Sequence, residues 1–462
     1  MNDVPPIVFG APLYPPTIKP PKQPMPLWRF LPTFVRNPLR AIPEPVYHEP
    51  IFAPPQMRGR MAWITDPTLV EQILLEDHEN FPKSPIEKRI FEKILGEGIL
   101  TSEGPTWRWQ RRTVAPLFRH GEVQASVPQM AAAAERLVAQ WRRGQTGATR
   151  RIEHDMTNVT FDVLASTIFA GATNAEADVL KTAIGAYLEH TSWDIAYEIL
   201  KFPDWVWHPA HGRMLRAARQ LTGTMLGIVR REREKGWPGG GLMARIGAAT
   251  DPETGIPMSE EQMAHNLLTF AAAGHETTAK ALTWALYLLA RAPDWQQRLH
   301  DEARQVIGDG PFEARHIDAL VLTRQVVKEA MRLYPPAPVM GRMARCDVQL
   351  GAHRFTAGAM LVIPIYVIHR HRKLWNDPDR FDPTRFEAAR ESTYKRTQFM
   401  PFGFGPRICI GMSYAMNEAI VLLASFMRSA RVTWDGRHVP EPVSRVTLRP
   451  KGGMPLVITM VS

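Results

Sequence analysis

Cysteine is scarce in this chain: its 462 residues include only Cys346 and Cys409. Two cysteines do not provide a disulfide framework, so the sequence predicts a protein of a reducing, cytoplasmic compartment. Long hydrophobic runs are also absent. The longest nearly apolar stretches, residues 281–290 and 355–368, are shorter than the roughly 18 residues that a membrane span requires. We therefore expect no membrane-spanning helix.

We also expect no signal peptide, because the first 26 residues carry nine prolines and no apolar core segment. Proline at this density favours an extended arm that lies on the surface. No linker separates two hydrophobic regions further along the chain. We expect residues 1–40 to form a Pro-rich N-terminal arm and residues 41–462 to form one large domain.

Acidic residues are fewer than basic residues. Lys and Arg total 56, Asp and Glu total 46, and the formal net charge is +10. The arginines are spread along the chain, so the charge fits a face that binds an acidic protein as well as it fits nucleic acid. A helical protein that binds nucleic acid is an alternative that only the net charge favours, and we expect no nucleic-acid partner.

The hydrophobic pattern is mostly helical. Residues 259–262, Ser-Glu-Glu-Gln, have the spacing of a capping box and predict the start of a long, largely apolar helix that ends near residue 290. A helix that is apolar most of the way round is usually buried in the middle of a domain. Other helices are expected at residues 66–75, from about 105, and at 124–141, 155–169, 175–235 with a break at 201–212, 293–306 and 324–333.

Loops and strands complete the pattern. Residues 81–104 and 237–241 are rich in glycine and proline and are expected to be loops. After Pro335 the sequence favours short strands at residues 348–350, 360–365 and 456–460. The fold class is therefore mostly α, in the α+β sense: a single large helical domain with a small β-rich corner.

The stretch from Phe402 to Gly411 combines three glycines, a proline and Cys409 ahead of an apolar helical run. Such a turn is tight, and its backbone N–H groups can point at the sulfur and favour a thiolate. A single thiolate suits the axial position of a haem iron, whereas structural zinc needs four ligands. The alternatives are a buried structural cysteine and a phosphate-binding turn, although Ile408 stands where a dinucleotide-binding motif needs its third glycine.

The same stretch resembles the cysteine-loop signature of the cytochrome P450 family, Phe-x-x-Gly-x-Arg-x-Cys-x-Gly. The five matching residues are Phe402, Gly405, Arg407, Cys409 and Gly411. The resemblance implies the fold of that family, with haem b between a long distal helix and the proximal cysteine loop. It also implies that Cys409 is the axial ligand of the haem iron and that Phe402, Arg407 and Gly411 lie beside the cofactor.

A second motif lies within the long helix. Gly274, Glu276 and Thr277 are unfavourable residues for a buried helix, since Gly costs about 1 kcal/mol there relative to Ala. Local rules broken in a buried element usually mark function. A kinked structural helix is one alternative; a zinc protease is excluded because Ala279 occupies the second His position of His-Glu-x-x-His. The P450 resemblance implies that Glu276 and Thr277 are catalytic and help to protonate dioxygen, while Ala273 and Gly274 line the oxygen pocket.

Glu329 and Arg332 are three residues apart and share a helix face, so they can pair. The same Glu-x-x-Arg spacing recurs at Glu387 and Arg390, and the spacing alone therefore carries little information. The resemblance implies that Glu329, Arg332 and Arg385 form a buried structural triad that holds the cysteine loop.

Trp107 and Arg111 lie one turn apart, on one face of the helix that begins near residue 105. A surface arginine packed on a tryptophan is the alternative to a functional pair. The resemblance implies that both bond a haem propionate and that Arg342 and Arg407 are further propionate partners, since arginine suits carboxylates. Residues 369–372, His-Arg-His-Arg, are interpreted as a basic surface segment.

The resemblance implies a monooxygenase that inserts one oxygen atom of O2 into an apolar organic substrate, by hydroxylation or epoxidation. The expected substrate is a fatty acid, terpenoid or steroid-like molecule, because the segments that shape the pocket are rich in apolar residues. These segments are residues 81–104, 187–211, 267–277, 337–340 and the region near 446. The alternative is a haem-thiolate protein with a role other than oxygen insertion, such as a sensor or an isomerase-like enzyme.

Electrons are expected from a separate protein, because the chain ends at Ser462 without a flavin reductase domain. In the family the partner binds on the cysteine side, and basic residues there would suit an acidic ferredoxin or flavodoxin. These residues are Arg108, Arg111, Arg112, Arg119, Lys395 and Arg396. We further expect the protein to be a monomer.

Overall fold

The computed structural model describes residues 10–145, 147–169, 172–188, 191, 197, 202, 206, 211–237, 242–251 and 253–461. Within these ranges the chain is mostly helical and carries four small sheets. The mostly α organisation with a small β-rich part, which the hydrophobic pattern predicts, is confirmed.

Helices make up most of the described structure. The α-helices are α1 Leu27–Arg36, α2 Pro67–Glu71, α3 Pro85–Leu95, α4 Gly104–Val114, α5 His120–Gln124, α6 Val127–Arg143, α7 Ile152–Thr167, α8 Asn174–Leu188, α9 His211–Glu234, α10 Leu242–Ala248, α11 Glu260–Arg291, α12 Pro293–Ile307, α13 His316–Ala319, α14 Val321–Leu333, α15 Ile365–Ile368, α16 Ala388–Glu391 and α17 Met412–Ser429.

The strands are short. They are β1 Ile51–Phe52, β2 Met61–Ile64, β3 Thr149–Arg151, β4 Met340–Met343, β5 Val348–Leu350, β6 His353–Phe355, β7 Met360–Ile363, β8 Ala430–Trp434, β9 Glu441–Ser444, β10 Leu448–Lys451 and β11 Pro455–Met460.

The largest sheet has the order β1-β2-β7-β4, in which β2 and β7 are parallel and the other neighbours are antiparallel. Its register pairs Arg342 of β4 with Leu361 of β7. A second sheet has the order β3-β11-β8, and β5–β6 and β9–β10 are antiparallel pairs. The expected strands at 348–350, 360–365 and 456–460 are confirmed as β5, β7 and β11, although β7 ends at Ile363 because Ile365 begins the helical turn α15.

Helix α11 organises the domain. Its capping box is confirmed: the Gln262 N–H donates to Ser259 Oγ at 3.2 Å, and the Ser259 N–H donates to Gln262 Oε1 at 3.0 Å. The helix contacts α7, α9, α14 and α17, and nearly all its side chains from residue 278 onward are buried. Trp284 stacks on Tyr334, which follows α14, with ring centroids 3.8 Å apart. An apolar helix of this length therefore forms the central element of the core, as its composition predicts.

The prediction of a loop over residues 81–104 is wrong for its central part. Helix α3 begins after Ser84, whose Oγ accepts from the Glu87 N–H at 3.3 Å. Pro85 occupies the first helical position, where its missing N–H costs nothing. The glycines that suggested a loop follow the helix rather than interrupt it, and Gly96 ends it with a φ of 49°.

The described part of the N-terminal arm packs on the domain. Residues 10–26 contain no helix; Leu13 forms a β-bridge with Phe381, and the Pro16 carbonyl accepts from Tyr334 Oη at 2.8 Å. The helix α1, over residues 27–36, follows the proline-dense segment that is expected to be extended. The boundary at residue 40 stays a prediction.

The expected break at residues 201–212 and the loop at 237–241 lie largely outside the described residues. Across the ranges that are described, no helix is long and apolar enough to cross a membrane.

Candidate functional site

The loop that carries Cys409 is fixed by its backbone. The Cys409 N–H donates to the Phe402 carbonyl at 2.9 Å, and the Gly403 N–H donates to the Met400 carbonyl at 3.0 Å. Gly405 has a φ of 72°, and a Cβ there would lie 1.9 Å from the Leu74 carbonyl oxygen. No residue but glycine fits at this position without moving the backbone. The turn therefore holds the sulfur in a set position.

The Cys409 side chain is exposed at the surface formed by the protein atoms. The surrounding protein nevertheless desolvates the thiol and raises its pKa, while the Gly411 N–H and the Arg111 charge act in the opposite direction. The sequence-based expectation that backbone N–H groups favour the thiolate is therefore correct in sign for Gly411 but is outweighed by burial. A metal cation at the sulfur would reverse this balance, because a coordinating thiol is deprotonated.

Cys409 offers one ligand and not a cluster. Among the residues that the structure describes, no group of three or more His, Cys, Asp and Glu side chains could hold a metal ion. The second cysteine, Cys346, is exposed and lies between β4 and β5. A single anionic sulfur donor matches an axial ligand better than a structural metal site.

Helix α11 shows a short, partly exposed segment in the middle of a buried run. Ala272, Ala273, Gly274 and Thr277 retain accessible surface, whereas the residues on either side are buried. The Thr277 hydroxyl donates to the Ala273 carbonyl at 2.8 Å, which leaves its oxygen lone pairs available to accept a hydrogen bond. These residues thus present a polar oxygen on an otherwise apolar helix face.

Gly274 has a structural explanation as well as the expected functional one. A Cβ at this position would lie 3.1 Å from both Cδ atoms of Leu164 on α7. On the next residue, the His275 carbonyl accepts from Thr160 Oγ1 at 2.9 Å. The glycine therefore permits α7 and α11 to pack closely, and its role in lining an oxygen pocket stays a prediction.

Glu276 is buried and points at the hairpin β9–β10. Its Oε1 accepts from Thr447 Oγ1 at 3.0 Å and lies 2.5 Å from Nη2 of Arg449. Burial acts to raise the pKa of Glu276, but Arg449, Lys280, His275 and the Thr447 hydroxyl together lower it below its usual value. The carboxylate is therefore held ionised.

Four cations gather where β4, α3, α4 and the cysteine loop meet. Lys83, Arg111, Arg342 and Arg407 form this group, which we call the cationic rim. Burial, Arg407 and Arg342 lower the pKa of Lys83 to about 8, while Glu87 and Glu103 oppose the effect. The pKa of Arg407 is lowered to about 10, first by burial and also by Arg342 and Arg111. Lys83 was not singled out from the sequence, which gives no signal for it beyond its place between Pro82 and Ser84.

Trp107 and Arg111 lie on α4, as expected, but Trp107 has a different close partner. The guanidinium carbon of Arg407 lies 3.8 Å from the Trp107 ring centroid, a cation–π contact. The Arg407 Nη1 donates to the Ser102 carbonyl at 2.9 Å. Arg342 is buried, and its Nη1 donates to the Gly341 carbonyl at 2.8 Å. The structure thus brings together all four residues that the sequence assigned to propionates.

The triad of Glu329, Arg332 and Arg385 is present and buried. Arg332 donates to Glu329 through Nε at 2.6 Å and Nη2 at 2.7 Å, a bidentate pair. Arg385 Nε lies 3.6 Å from Glu329 Oε1, and Arg385 also donates to the carbonyls of Asn376 and Asp377. The three residues tie α14 to the segment before the cysteine loop.

His369 connects this triad to the cysteine loop. Its Nδ1 bonds the Arg332 carbonyl at 3.2 Å, and its Nε2 accepts from the Met400 N–H at 3.0 Å. Burial, Arg332 and Arg370 lower the pKa of His369 to about 3, so the ring is neutral. The interpretation of residues 369–372 as a basic surface segment is wrong for residues 369–371, which are buried, whereas Arg372 is exposed. The alternation of basic residues is not a signal of exposure here.

A sequence model of the family described as Cytochrome P450 matches residues 21–457 of this chain. The chain belongs to the cytochrome P450 family. It is 29% identical over 410 residues to a cytokinin hydroxylase of Arabidopsis thaliana, covering 86% of this chain and 78% of that protein. It is also 29% identical over 432 residues to a taurochenodeoxycholic 6 alpha-hydroxylase of Sus scrofa, covering 86% and 81%.

A solved structure, the crystal structure of the cytochrome P450DA heme domain, superposes on this P450 with a TM-score of 0.83. The sequence identity is 24%, and the match covers 96% of this chain and 98% of that one. At this identity the likeness shows the fold alone. The family match and the hydroxylases and oxidases among the relatives show that the protein is a haem-dependent cytochrome P450 monooxygenase.

The residues of this P450 fit a haem. The Cys409 thiol, whose pKa is raised by burial, would be stabilised as a thiolate by an iron ion. The cationic rim gathers positive charges that repel one another, and an anionic group such as a carboxylate would relieve this repulsion. Both features accord with a flat metal complex that carries carboxylates at one edge.

Glu418 is a further buried acid that the sequence analysis left aside, although an acid inside the apolar helix α17 is a visible signal. Its Oε1 has no hydrogen-bond partner among the described residues. Burial raises the pKa of Glu418 to about 8, and a hydrogen bond with Thr278 opposes this only in part. The P450 thus carries a carboxyl group on α17 that is largely protonated at neutral pH.

We expect Glu418→Gln to stabilise the P450 increasingly as the pH rises. The pKa of an unfolded Glu is about 4.3, so the native protein, with a pKa of about 8 at this site, binds the proton more tightly than the unfolded chain. The stability that the protonated group contributes is therefore lost between these two values. Gln mimics the neutral acid, so at pH 7 the gain should be on the order of 3 kcal/mol. Denaturant unfolding of both proteins from pH 4 to pH 9 measures it, and a difference independent of pH contradicts the prediction.

Proposed function

We propose that this P450 inserts one oxygen atom of O2 into an apolar, polycyclic substrate of the terpenoid or steroid-like class. The observation that carries the proposal is the pairing of an ionised acid with an alcohol at residues 276 and 277, on the partly exposed segment of α11. The haem, proposed to be haem b, supplies electron transfer and activation of dioxygen when it is bound. The protein residues hold the cofactor, exclude water and deliver protons.

Cys409 and the cationic rim are proposed to hold the cofactor. Cys409 would ligate the iron, with Phe402 and Gly411 beside it. Arg111, Arg342 and Arg407 would receive the two propionates through charge-assisted hydrogen bonds, with Lys83 as an added partner. Burial of these cations supports the assignment, because the four rim cations have only Glu87 and Glu103 as nearby acids, at 3.9–4.0 Å, and a buried excess of charge is costly.

Glu276 and Thr277 are proposed to supply the protons. Thr277 donates to the Ala273 carbonyl, so its oxygen can accept a proton-bearing group without losing its own hydrogen bond. Glu276 is close to the exposed edge of Arg449, whose side chain is 26% accessible, and is therefore within reach of solvent protons. Ala273 and Gly274 would line the space in front of Thr277. General acid–base catalysis of this kind contributes about 10²–10⁴-fold to a rate.

A separate, acidic electron donor of the ferredoxin or flavodoxin type is proposed. Arg119, Lys395 and Arg396 are exposed, which supports a basic docking face. Two further arginines from the expected set are already paired: Arg112 with Asp251 and Glu253, and Arg108 with Glu79. The docking face is therefore narrower than the sequence suggested. We also propose that the protein is monomeric and cytoplasmic and that it does not bind nucleic acid.

The substrate class rests on the relatives and on the apolar residues around α11. Proteins similar to this one are described as an 11-oxo-beta-amyrin 30-oxidase and a taurochenodeoxycholic 6 alpha-hydroxylase. Phe270 of α11 makes an edge-to-face contact with Phe118, with centroids 5.4 Å apart, and Leu100 and Val446 pack against the same cluster. Shifts of the haem spin state on titration with a triterpenoid, a bile acid and a long-chain fatty acid would rank these classes. Binding of the fatty acid alone would contradict the polycyclic class.

We expect Thr277→Ala to keep the haem spectrum but to divert electrons from product to hydrogen peroxide. The loss of the hydroxyl removes the acceptor that holds a proton in place, so product per electron should fall about tenfold or more. Product, peroxide and the electrons consumed from the donor protein are measured with the ligand that gives the largest spin-state shift.

Thr283→Ala is the matched control for this experiment. Thr283 lies on the same helix and makes the same bond to the carbonyl four residues earlier, at 2.6 Å, but it is buried away from the partly exposed segment. Equal coupling in Thr277→Ala and Thr283→Ala would contradict the proton-delivery role. No product in any of the variants or in the parent protein would favour the alternative of a haem-thiolate sensor or isomerase-like enzyme.

A further inference from the structure

The carboxylate of Glu276 belongs to a closed group of three side chains. Thr447 Oγ1 donates to Glu276 Oε1 at 3.0 Å, Arg449 Nη2 lies 2.5 Å from the same oxygen, and Arg449 Nε donates to Thr447 Oγ1 at 3.3 Å. Glu276 is 7% accessible and Thr447 is buried, while Arg449 is 26% accessible. A geometry in which each member contacts the other two fixes the direction of the carboxylate.

Two other titratable groups, Lys280 and His275, act on Glu276, and their effect is weaker than that of Arg449. Lys280 and His275 lie on α11 itself, and both act to keep Glu276 ionised, after Arg449. The charge of Glu153 on α7 acts to raise the pKa of Lys280. Burial lowers the pKa of His275, so the positive charge through which it acts on Glu276 is present only at low pH. Arg449 is therefore the main cation that faces this acid.

The ion pair is not needed to hold the hairpin to α11. Trp284 Nε1 of α11 donates to the Leu448 carbonyl at 3.2 Å, and the Leu448 N–H donates to the Pro336 carbonyl at 3.0 Å. Leu448 itself is fully buried in the main core. Buried ion pairs add little net stability compared with apolar residues of similar size. Arg449 therefore serves to neutralise the buried acid rather than to anchor the hairpin.

The hairpin also touches the side where a substrate would lie. Val446, one residue before Thr447, packs against the apolar cluster that includes Leu267, Phe270 and Ala271 of α11. The same short segment therefore contacts the apolar face of α11 and holds its acid. A ligand that displaces Val446 would therefore also displace the adjacent Thr447, which binds Glu276.

We propose that Arg449 is a positioning residue that holds Glu276 as a carboxylate turned toward the β9–β10 hairpin, so that proton delivery requires this ion pair to open. This inference deepens the proposed function and rests on it. One proton enters from solvent and binds a Glu276 oxygen as the contact with Arg449 breaks. The proton then leaves toward the dioxygen substrate beside Thr277, the carboxylate is restored, and the ion pair forms again. Arg449 keeps its charge throughout, and no other co-reactant is required.

The test follows the protonation of Glu276 in the holoenzyme. Infrared difference spectra between each protein and its counterpart that carries Glu276→Gln isolate the carboxyl band, which is recorded as a function of pH. In Arg449→Gln we expect the titration midpoint to move upward, because the main cation is lost. In Arg449→Lys the midpoint should stay near that of the parent protein, since the charge is kept.

Lys451→Gln is the control for this titration. Lys451 lies on the same strand, two residues from Arg449, and pairs with Glu441 at 3.6 Å, so its loss removes the same charge without touching Glu276. An unchanged midpoint in Arg449→Gln, with an intact haem spectrum, overturns the proposal. If Arg449→Gln does not fold, Thr447→Val replaces it: the loss of this hydrogen bond should raise the midpoint, and no shift there also overturns the proposal.

A failure of the proposed proton delivery and a failure of the proposed role of Arg449 give different results. If Glu276→Gln leaves the coupling of electrons to product unchanged, the proposed proton delivery fails, whatever the infrared titration shows. If Glu276→Gln lowers coupling but Arg449→Gln alters neither the titration midpoint nor the pH profile of coupling, only the role of Arg449 is wrong. Rescue by Arg449→Lys of a coupling lost in Arg449→Gln supports positioning by charge.

Discussion

Replacing Cys409 by alanine is expected to abolish the strongly red-shifted Soret band that the reduced, carbon-monoxide-treated protein should show. That band requires a thiolate on the iron, and Cys409 is the cysteine that the loop of residues 402–411 presents. Alanine removes the sulfur but keeps the backbone bond from residue 409 to the Phe402 carbonyl. The loop should therefore keep its shape while the ligand is lost. Visible absorption spectra of the reduced protein with carbon monoxide measure the effect.

Cys346→Ala is the matched control, because Cys346 is the other cysteine of the chain and its side chain is exposed. This variant should keep the full red-shifted band. A Cys409→Ala protein that retains the band would show that another group ligates the iron. Haem content, measured after extraction, separates loss of the ligand from loss of the whole cofactor.

Local sequence signals predicted the parts of the site that a few neighbouring residues determine. The cysteine loop is one, since glycine at 405 is required by the approach of the Leu74 carbonyl, and the sequence shows that glycine. The start of α11 is another, because both partners of its capping box are three residues apart. Such features depend on backbone conformation, which short spacings encode.

The partners that tune the site could not be predicted in the same way. Arg449 and Glu276 are separated by more than 170 positions, and nothing in the sequence around either residue indicates the other. The Lys83 side chain joins the cationic rim because a β-bridge sets it beside Arg342, another long-range contact. His369 seemed exposed from its basic neighbours, yet tertiary packing buries it. Contacts between distant segments decide the charge environment of each group.

The prediction of a loop over residues 81–104 is wrong for a different reason. The prolines and glycines favour a loop when they are counted over the whole segment, but their positions matter more than their number. Pro85 begins α3 and Gly96 ends it, which are the places where these residues favour a helix boundary. A search for caps within the segment, starting from Ser84, would have identified the helix.

Glu329→Gln is expected to destabilise the P450 by about 3–5 kcal/mol, because it removes one partner of a buried charge pair. Neither Glu329 nor Arg332 is accessible to solvent, and Arg385 lies in the same buried group. Glu329 also accepts from the Asp382 N–H at 2.8 Å. Without the carboxylate, Arg332 remains buried without its paired acid, and Arg385 keeps only the charge of Asp382. Denaturant unfolding, monitored by far-UV circular dichroism, measures the loss.

The second Glu-x-x-Arg of the chain provides the control for that loss. Glu387 has the same spacing to Arg390 but is exposed, so Glu387→Gln should change the stability by no more than about 0.5 kcal/mol. The loss of the Glu329 carboxylate should also weaken haem binding. The Arg332 carbonyl bonds His369 Nδ1, and His369 Nε2 accepts from the Met400 N–H at the start of the cysteine loop. We therefore expect Glu329→Gln to lose haem at lower denaturant concentration than Glu387→Gln. Equal stability and equal haem retention in the two variants would mean that the buried triad does not support the loop that carries Cys409.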